Sequence, residues 1–219
     1  MQIILVCLKN FQSYILDNIN NLLAFDNNDI HVITEVEFFN YFENLPITLV
    51  DCSKLDDFNY NLNSQLDRNF RNGFWYLCSL RFFYLYSYMK NNNLSDVIHL
   101  ENDVLTYVNF NDFNFRNNKV YVTFDCETRV IPGIIYIPNY EAFKPIIENY
   151  NLNLNDMENL AIESNENYIE QFPIFRIVDT IINKYSKNFN EFYSIFDAAV
   201  IGQYLGGVDR RNRNEDMRF

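Results

Sequence analysis

FWYLCSLRFFYLYSYMKNNNLSDVIHLENDV, Phe74 through Val104, decides the architecture. Its first part, 74–90, is apolar almost all round, which marks a helix buried on every side rather than one lying on a surface. A polar break follows, and then 96–103 climbs through Val97, Ile98, His99 and Leu100 to Glu101, Asn102 and Asp103. A continuous apolar, β-branched run reads as a strand covered on both faces. A buried helix feeding a buried strand is half of a β-α-β unit. The strand ends on two carboxylates set beside residues that must be buried, and that placement needs a reason.

Outward from this stretch the same alternation continues. Apolar runs at 2–8 (QIILVCL), 29–34 (DIHVIT), 47–52 (ITLVDC), 119–125 (KVYVTFD) and 133–137 (GIIYI) predict further strands. Helical spacing predicts helices over 10–25, where Phe11, Tyr14, Ile15, Ile19, Leu22 and Leu23 share a face, and over 35–45, 139–150, 167–187 and 197–205. The Asn-rich segment 53–72 reads as a loop holding at most a short helix. The order predicts an α/β sandwich with a mostly parallel central sheet. With no repeat and no Pro- or Gly-rich linker, 1–209 forms one domain and 210–219 a charged tail. Ligands in such folds bind beyond the C-terminal ends of the strands. Asp51, Glu101, Asp103 and Asp125 all fall at strand ends, so carboxylates gather on that edge.

Composition narrows the function. A chain of 219 residues with 48% hydrophobic and 17% aromatic content is globular, and its net charge of −12 repels nucleic acid overall. No run approaches the roughly 18 apolar residues that a membrane span needs. The start MQIILVCLKN has neither the basic region nor the cleavage site of a secretory signal. Cys7, Cys52, Cys78 and Cys126 form no C-x-x-C pair and fit reduced core positions, which places the chain in a reducing, cytoplasmic setting. The turn after the first strand, LKNFQSYI, holds no glycine, which excludes the dinucleotide fingerprint and the P-loop. If phosphate binds here, something other than a Gly loop must neutralise it, and the alternative is a divalent cation held by carboxylates.

Glu101 and Asp103 suit that task, because Mn²⁺ or Mg²⁺ takes hard oxygen ligands and shares its shell with substrate phosphates. LEND after an apolar strand resembles the D-x-D metal motif, here E-x-D, of the GT-A nucleotide-sugar glycosyltransferases. The block from Phe74 to Val104 resembles that superfamily's helix-then-strand unit, PGIIYIPN its following strand and FDAAVIGQYLGG its acceptor-side motif, so the likeness spans about residues 1–209. It implies a GT-A (Rossmann-like) α/β/α sandwich and a hexosyltransferase-type activity. A sugar would pass from a nucleotide-diphosphate donor, UDP-sugar favoured, to a hydroxyl of a sugar or of a protein- or lipid-linked acceptor. Glu101 and Asp103 would hold the metal, with Asn102 between them at the donor. The nucleobase would lie near Leu8 to Phe11, and Gln203, Gly206 and Gly207 would meet the transferred sugar or acceptor. Asp197, heading the same segment, is the first candidate base and Glu127 the second. No carboxylate sits in a plainly apolar stretch that would raise its pKa, which favours a retaining mechanism.

Arg81 stands in an apolar helix and must be paired. Either it forms a structural ion pair with a carboxylate such as Asp103, or it orients the metal carboxylates or touches the diphosphate. Phe74, Trp75, Tyr76, Phe82 and Phe83 read as core, as do His31 and His99. The resemblance further implies a third metal ligand, often His, near the C-terminus. No His follows His99, which leaves Asp209, a water or a ligand in a longer natural chain, with Arg210, Arg211 and Arg213 facing the diphosphate as part of a lid. Two other readings use the same residues: a nucleotidyltransferase or metal phosphohydrolase, and a degenerate nucleotide-sugar-binding protein.

Overall fold

The apolar runs become central strands because both of their faces are covered. The computed structural model describes residues 1–172 apart from 114, 116, 117, 127, 128 and 167. In chain order the strands are β1 (Gln2–Cys7), β2 (Ile30–Thr34), β3 (Thr48–Asp51), β4 (Ser95–Leu100), β5 (Val120–Cys126), β6 (Arg129–Asn139) and β7 (Ile169–Gln171). The helices are α1 (Tyr14–Ala24), α2 (Tyr60–Asn63), α3 (Phe74–Asn92), α4 (Tyr140–Glu148) and α5 (Asp156–Asn165).

The sheet order is β3-β2-β1-β4-β6-β5-β7. β6 alone runs against its neighbours; the β1–β2, β2–β3, β1–β4 and β5–β7 pairs are parallel. This is the α/β sandwich with a mostly parallel sheet that the alternation predicts. Side chains alternate along β1 as strand geometry requires. Ile3, Leu5 and Cys7 enter one apolar layer with α1, while Ile4, Val6 and Leu8 enter the other with α3, α4 and α5. α3 is buried nearly all round, from Tyr76 to Met89, as its composition demands.

Several boundaries differ from expectation. The segment expected as a helix over 35–45 forms a 3-10 stretch, Val36–Phe42, in which only Phe42 is buried. So little packing cannot fix a longer helix. The strand expected over 96–103 stops at Leu100, and β6 is longer than 133–137 at both ends. α5 is an addition, announced by a capping box in which Asn155 and Glu158 satisfy each other's backbone N–H groups. The helix expected over 167–187 is overturned at its start, where Ile169–Gln171 pairs with Val120–Val122 as a strand. Its remainder, and the helix expected over 197–205, lie outside the described residues.

Candidate active site

The acidic turn is held by its backbone and by the Asn102 side chain, which leaves the Asp103 carboxylate open to the cleft. Glu101 N–H still donates to Gly133 O at 3.0 Å, extending the β4–β6 ladder by one residue, and Val104 N–H then closes the turn on Glu101 O at 3.2 Å. Asn18 of α1, fully buried, donates Nδ2–H to Glu101 O at 3.1 Å and to Asn102 O at 3.3 Å. Asn102 in turn donates to Val6 O at 2.9 Å and to Gln12 Oε1 at 2.6 Å. Two asparagines thus peg the turn to α1 and to the end of β1. Asn18 lies on the buried stripe of α1 with Ile15, Ile19 and Leu22.

Arg81 is 7% exposed and bridges two carboxylates. Its Nη1 meets Glu101 Oε1 at 2.8 Å and its Nη2 meets Asp156 Oδ2 at 2.8 Å. The expected ion pair exists, but the partners are Glu101 and Asp156 rather than Asp103. Burial lowers the guanidinium's pKa, yet Glu101 and Asp156 outweigh burial and the net shift is upward. Asp156 shifts the other way for an acid: burial raises it to about 6 against the pull of Arg81. The two shifts describe one imbalance. Asp156 has lost nearly all its water, and the single guanidinium that faces it is shared with Glu101.

Asp103 makes no ion pair among the described residues and opens to solvent at the cleft. Desolvation by the cleft walls, followed by the charge of Glu101, raises its pKa. Among the described residues no group of three or more His, Cys, Asp or Glu side chains is placed to hold a metal ion. Two neighbouring carboxylates still fit a hard divalent ion that completes its shell with water and ligand phosphates.

The turn forms one wall of a cleft of about 240 Å³. Val6, Leu8, Gln12 and Tyr14 line the side toward β1 and α1, and Arg71, Phe74, Cys78 and Arg81 the side toward α3. Burial pushes the Cys78 thiol up, so it is not a thiolate near neutral pH. Phe74, expected in the core, stands 42% exposed at the cleft because it opens the first turn of α3; Tyr76, Phe82 and Phe83 are buried. Phe11 stacks on Tyr41 at 4.0 Å and packs against Phe38 and Phe42. His99 is a core residue as expected: it donates Nδ1–H to Ile4 O at 2.9 Å, and burial lowers its pKa to about 3.

Not every carboxylate on this edge joins the site. Asp51 accepts from Ser53 N–H at 3.0 Å and from its hydroxyl at 2.7 Å, capping the turn that follows β3. It lies three strands from β4, roughly 14 Å at the usual strand spacing. Glu127, Asp197, Gln203, Gly206, Gly207 and the tail with Asp209, Arg210, Arg211 and Arg213 fall outside the described residues.

No protein-family model matches the chain, and no curated protein sequence matches it. Solved structures do. The glycosyltransferase GlyE of Streptococcus pneumoniae TIGR4 aligns at 14% identity and a TM-score of 0.48, covering 78% of this chain and 44% of that one. This chain therefore spans less than half of GlyE. The PaToxG glycosyltransferase aligns at 12% identity and a TM-score of 0.45, covering 75% and 68% of the two chains. A cytidylyltransferase from Leptospira borgpetersenii serovar Hardjo-bovis aligns at 11% identity and 0.46, covering 80% and 76%. At these scores the likeness is one of α/β layout, and the functional reading rests on the cleft.

Proposed function

We propose that this protein is a metal-dependent glycosyltransferase that takes a nucleotide-diphosphate sugar, UDP-sugar favoured, and passes the sugar to an acceptor hydroxyl. The observation that supports it is the Glu101-Asn102-Asp103 turn, pegged by Asn18 and Asn102 and set beside Arg81 in a cleft at the C-terminal end of β4. Glu101 and Asp103 would hold Mn²⁺ or Mg²⁺, which when bound neutralises charge on the leaving diphosphate. Arg81 fixes the Glu101 carboxylate, so the ligand oxygens are in place before the donor arrives. Leu8 and Val6 supply an apolar wall toward β1. The absence of glycine from Leu8 to Gln12 supports sugar transfer over nucleotidyl transfer, which in this kind of fold uses a Gly-rich turn. The acceptor's proton would go to the leaving diphosphate in a retaining reaction, or to Asp197 or Glu127 in an inverting one.

Among the described residues no helix is long and apolar enough to cross a membrane, and Cys7, Cys52 and Cys78 are free thiols, which suits the reducing, cytoplasmic setting proposed. Thermal melts with UDP, GDP and CMP, with and without Mn²⁺, test the reading. A nucleotide at about 100 times its Kd stabilises by about 2.7 kcal/mol. UDP should shift the melt only with Mn²⁺ present, and Asp103→Asn should abolish that shift without lowering the unliganded melt. An Asp103→Asn protein that still binds UDP with Mn²⁺ would refute the metal assignment.

A further inference from the structure

Asp156 is an acid in the wrong place for stability. It opens α5, and its side chain is 2% exposed. The start of a helix favours negative charge, yet burial still raises its pKa to about 6. Its ionised form is therefore disfavoured by the fold. The Arg81 guanidinium does not require it either, since Glu101 already pairs with Arg81 at 2.8 Å and would neutralise it alone. Asp156 is not among the residues that line the cleft, so it does not meet a ligand directly.

The charges around Arg81 explain what the second acid adds. Among the described residues Arg81 is the one buried Arg or Lys. The carboxylates that act on it are Glu101 and Asp156, and Asp103 feels both Glu101 and Arg81. The other titratable groups packed here carry no charge near neutral pH. His99 of β4 is held near 3, and burial pushes up the Cys78 thiol of α3 and the phenols of Tyr60 and Tyr150. Arg71 reaches the cleft from an exposed position, where water and salt screen it. Three carboxylates against one guanidinium leave this group a net charge of −2. Without Asp156 it carries −1, because Arg81 then cancels Glu101.

The geometry divides the guanidinium between its partners. Nη1 faces Glu101 and Nη2 faces Asp156, each at 2.8 Å. A cation shared in this way neutralises neither acid in full, so Glu101 keeps negative charge on its cleft side, where its side chain is 31% exposed. We infer that Asp156 is a positioning residue that serves the candidate metal site as a buried counter-charge. It holds Arg81 from behind and offsets the Arg81 charge, so that Glu101 and Asp103 together present two negative charges to a divalent cation. This rests on the reading that Glu101 and Asp103 hold Mn²⁺ or Mg²⁺. Asp156 touches neither the metal nor a substrate and acts through Arg81. Its burial lowers the stability of the metal-free protein and strengthens the hold on the cation.

The probe is Mn²⁺, titrated into the full chain at pH 8, alone and then with UDP, and read by the electron paramagnetic resonance of the free ion. Asp156→Asn keeps the shape and an oxygen for Nη2 but removes the charge. It should weaken Mn²⁺ by on the order of tenfold, while the metal-free melt at pH 8 stays level or rises. An acid that served only the fold would do the reverse, with a lower melt and unchanged Mn²⁺ affinity. Glu141→Gln, the same change of net charge at an exposed position, should alter Mn²⁺ affinity by less than about twofold. Arg81→Met/Asp156→Asn removes both members of the buried pair and leaves Glu101 and Asp103 uncancelled. Its Mn²⁺ affinity should return to within a few-fold of wild type, and this double variant reads the same balance if the single one does not fold. Unchanged Mn²⁺ affinity in folded Asp156→Asn, or a double variant still weakened by about tenfold or more, overturns the inference. Where Asp103→Asn abolishes Mn²⁺ binding and Asp156→Asn leaves it intact, the inference fails and the metal assignment stands. A wild type that binds no Mn²⁺, with or without UDP, overturns both. Mn²⁺ binding that depends on Asp103 and Asp156, in a protein that never binds UDP, sinks the nucleotide-sugar reading and leaves the counter-charge standing.

Discussion

Replacing Arg81 by Met keeps the length of the stem inside α3 and removes the charge shared by Glu101 and Asp156. The two partners respond differently. The Glu101 side chain is 31% exposed and recovers water, whereas that of Asp156 is 2% exposed and recovers none. The penalty therefore sits on Asp156, and breaking one buried pair costs about 3–5 kcal/mol. For a chain of this size each kcal/mol moves Tm by about 2–4 °C, so the melt should fall by roughly 6–20 °C. The loss depends on pH, with a definite sign. The folded pKa of Asp156 is already raised to about 6, above its unfolded value, so its contribution is favourable at low pH and is lost as pH rises through 6. Removing Arg81 moves the folded pKa higher still. Above pH 6 the deficit of the variant then grows by up to about 1.4 kcal/mol per unit until the new pKa is passed. Denaturant unfolding at pH 5.5 and pH 8 measures both. A deficit equal at the two pH values, or a Tm change under about 2 °C at pH 8, would show that Asp156 does not depend on Arg81.

Asn18→Ala removes the amide that donates to Asn102 O and, beside Val104 N–H, to Glu101 O, and should cost about 1–3 kcal/mol. It should also weaken Mn²⁺-dependent UDP binding; an unchanged melt with unchanged binding would remove Asn18 as a positioning residue. His99 has a folded pKa near 3, so it makes stability rise with pH between about 3 and 6.5, while Asp156 makes it fall between about 4 and 6. The two slopes oppose each other in the wild type between pH 4 and 6. His99→Gln should expose a net fall in stability across that range, read by denaturant titration, and a curve parallel to the wild type would contradict it. Proton NMR of fresh product should show the donor's anomeric configuration retained. An inverted anomer, with Asp197→Asn slowing the reaction by about 10²-fold or more, would assign Asp197 as the base instead.

The layers of the fold were legible because burial leaves a local trace. A helix apolar on every side and strands without polar alternation mean elements covered on both faces, and α3, β1 and β4 are so covered. Glu101 and Asp103 were legible for the opposite reason, as charge where the apolar pattern breaks. What stayed hidden depends on contacts across the chain. Arg81 announces that it needs a partner, but nothing local points to Asp156, 75 residues away. Asn18 and Asn102 are hard to single out in a chain so rich in asparagine. Phe74 misleads because the apolar pattern around it is set by the later turns of α3, which lie against the sheet, while the first turn protrudes into the cleft. The 3-10 stretch Val36–Phe42 fails differently: its residues have helical spacing but too little to pack against.

The glutamate at 101, where the resembled motif has aspartate, follows from the same geometry. β4 ends at Leu100, so residue 101 is fixed in place by its bond to Gly133 O and cannot shift toward α3. The Arg81 guanidinium is likewise fixed, held from the far side by Asp156. A glutamate spans this gap and reaches Nη1 at 2.8 Å. An aspartate is one methylene shorter, about 1.5 Å of reach, and would miss ideal contact unless the strand end or the helix moved. The second oxygen, Oε2, lies 3.7 Å from where a Cβ on Gly133 would be, an ordinary contact distance, so residue 133 does not crowd the carboxylate. Glu101 is thus long enough to be clamped through one oxygen while the other stays available beside Asp103. Asp103 has no clamp to reach, and a short side chain holds its carboxylate near the well-pegged backbone of the turn. The two acids differ in length because only one of them must answer to Arg81.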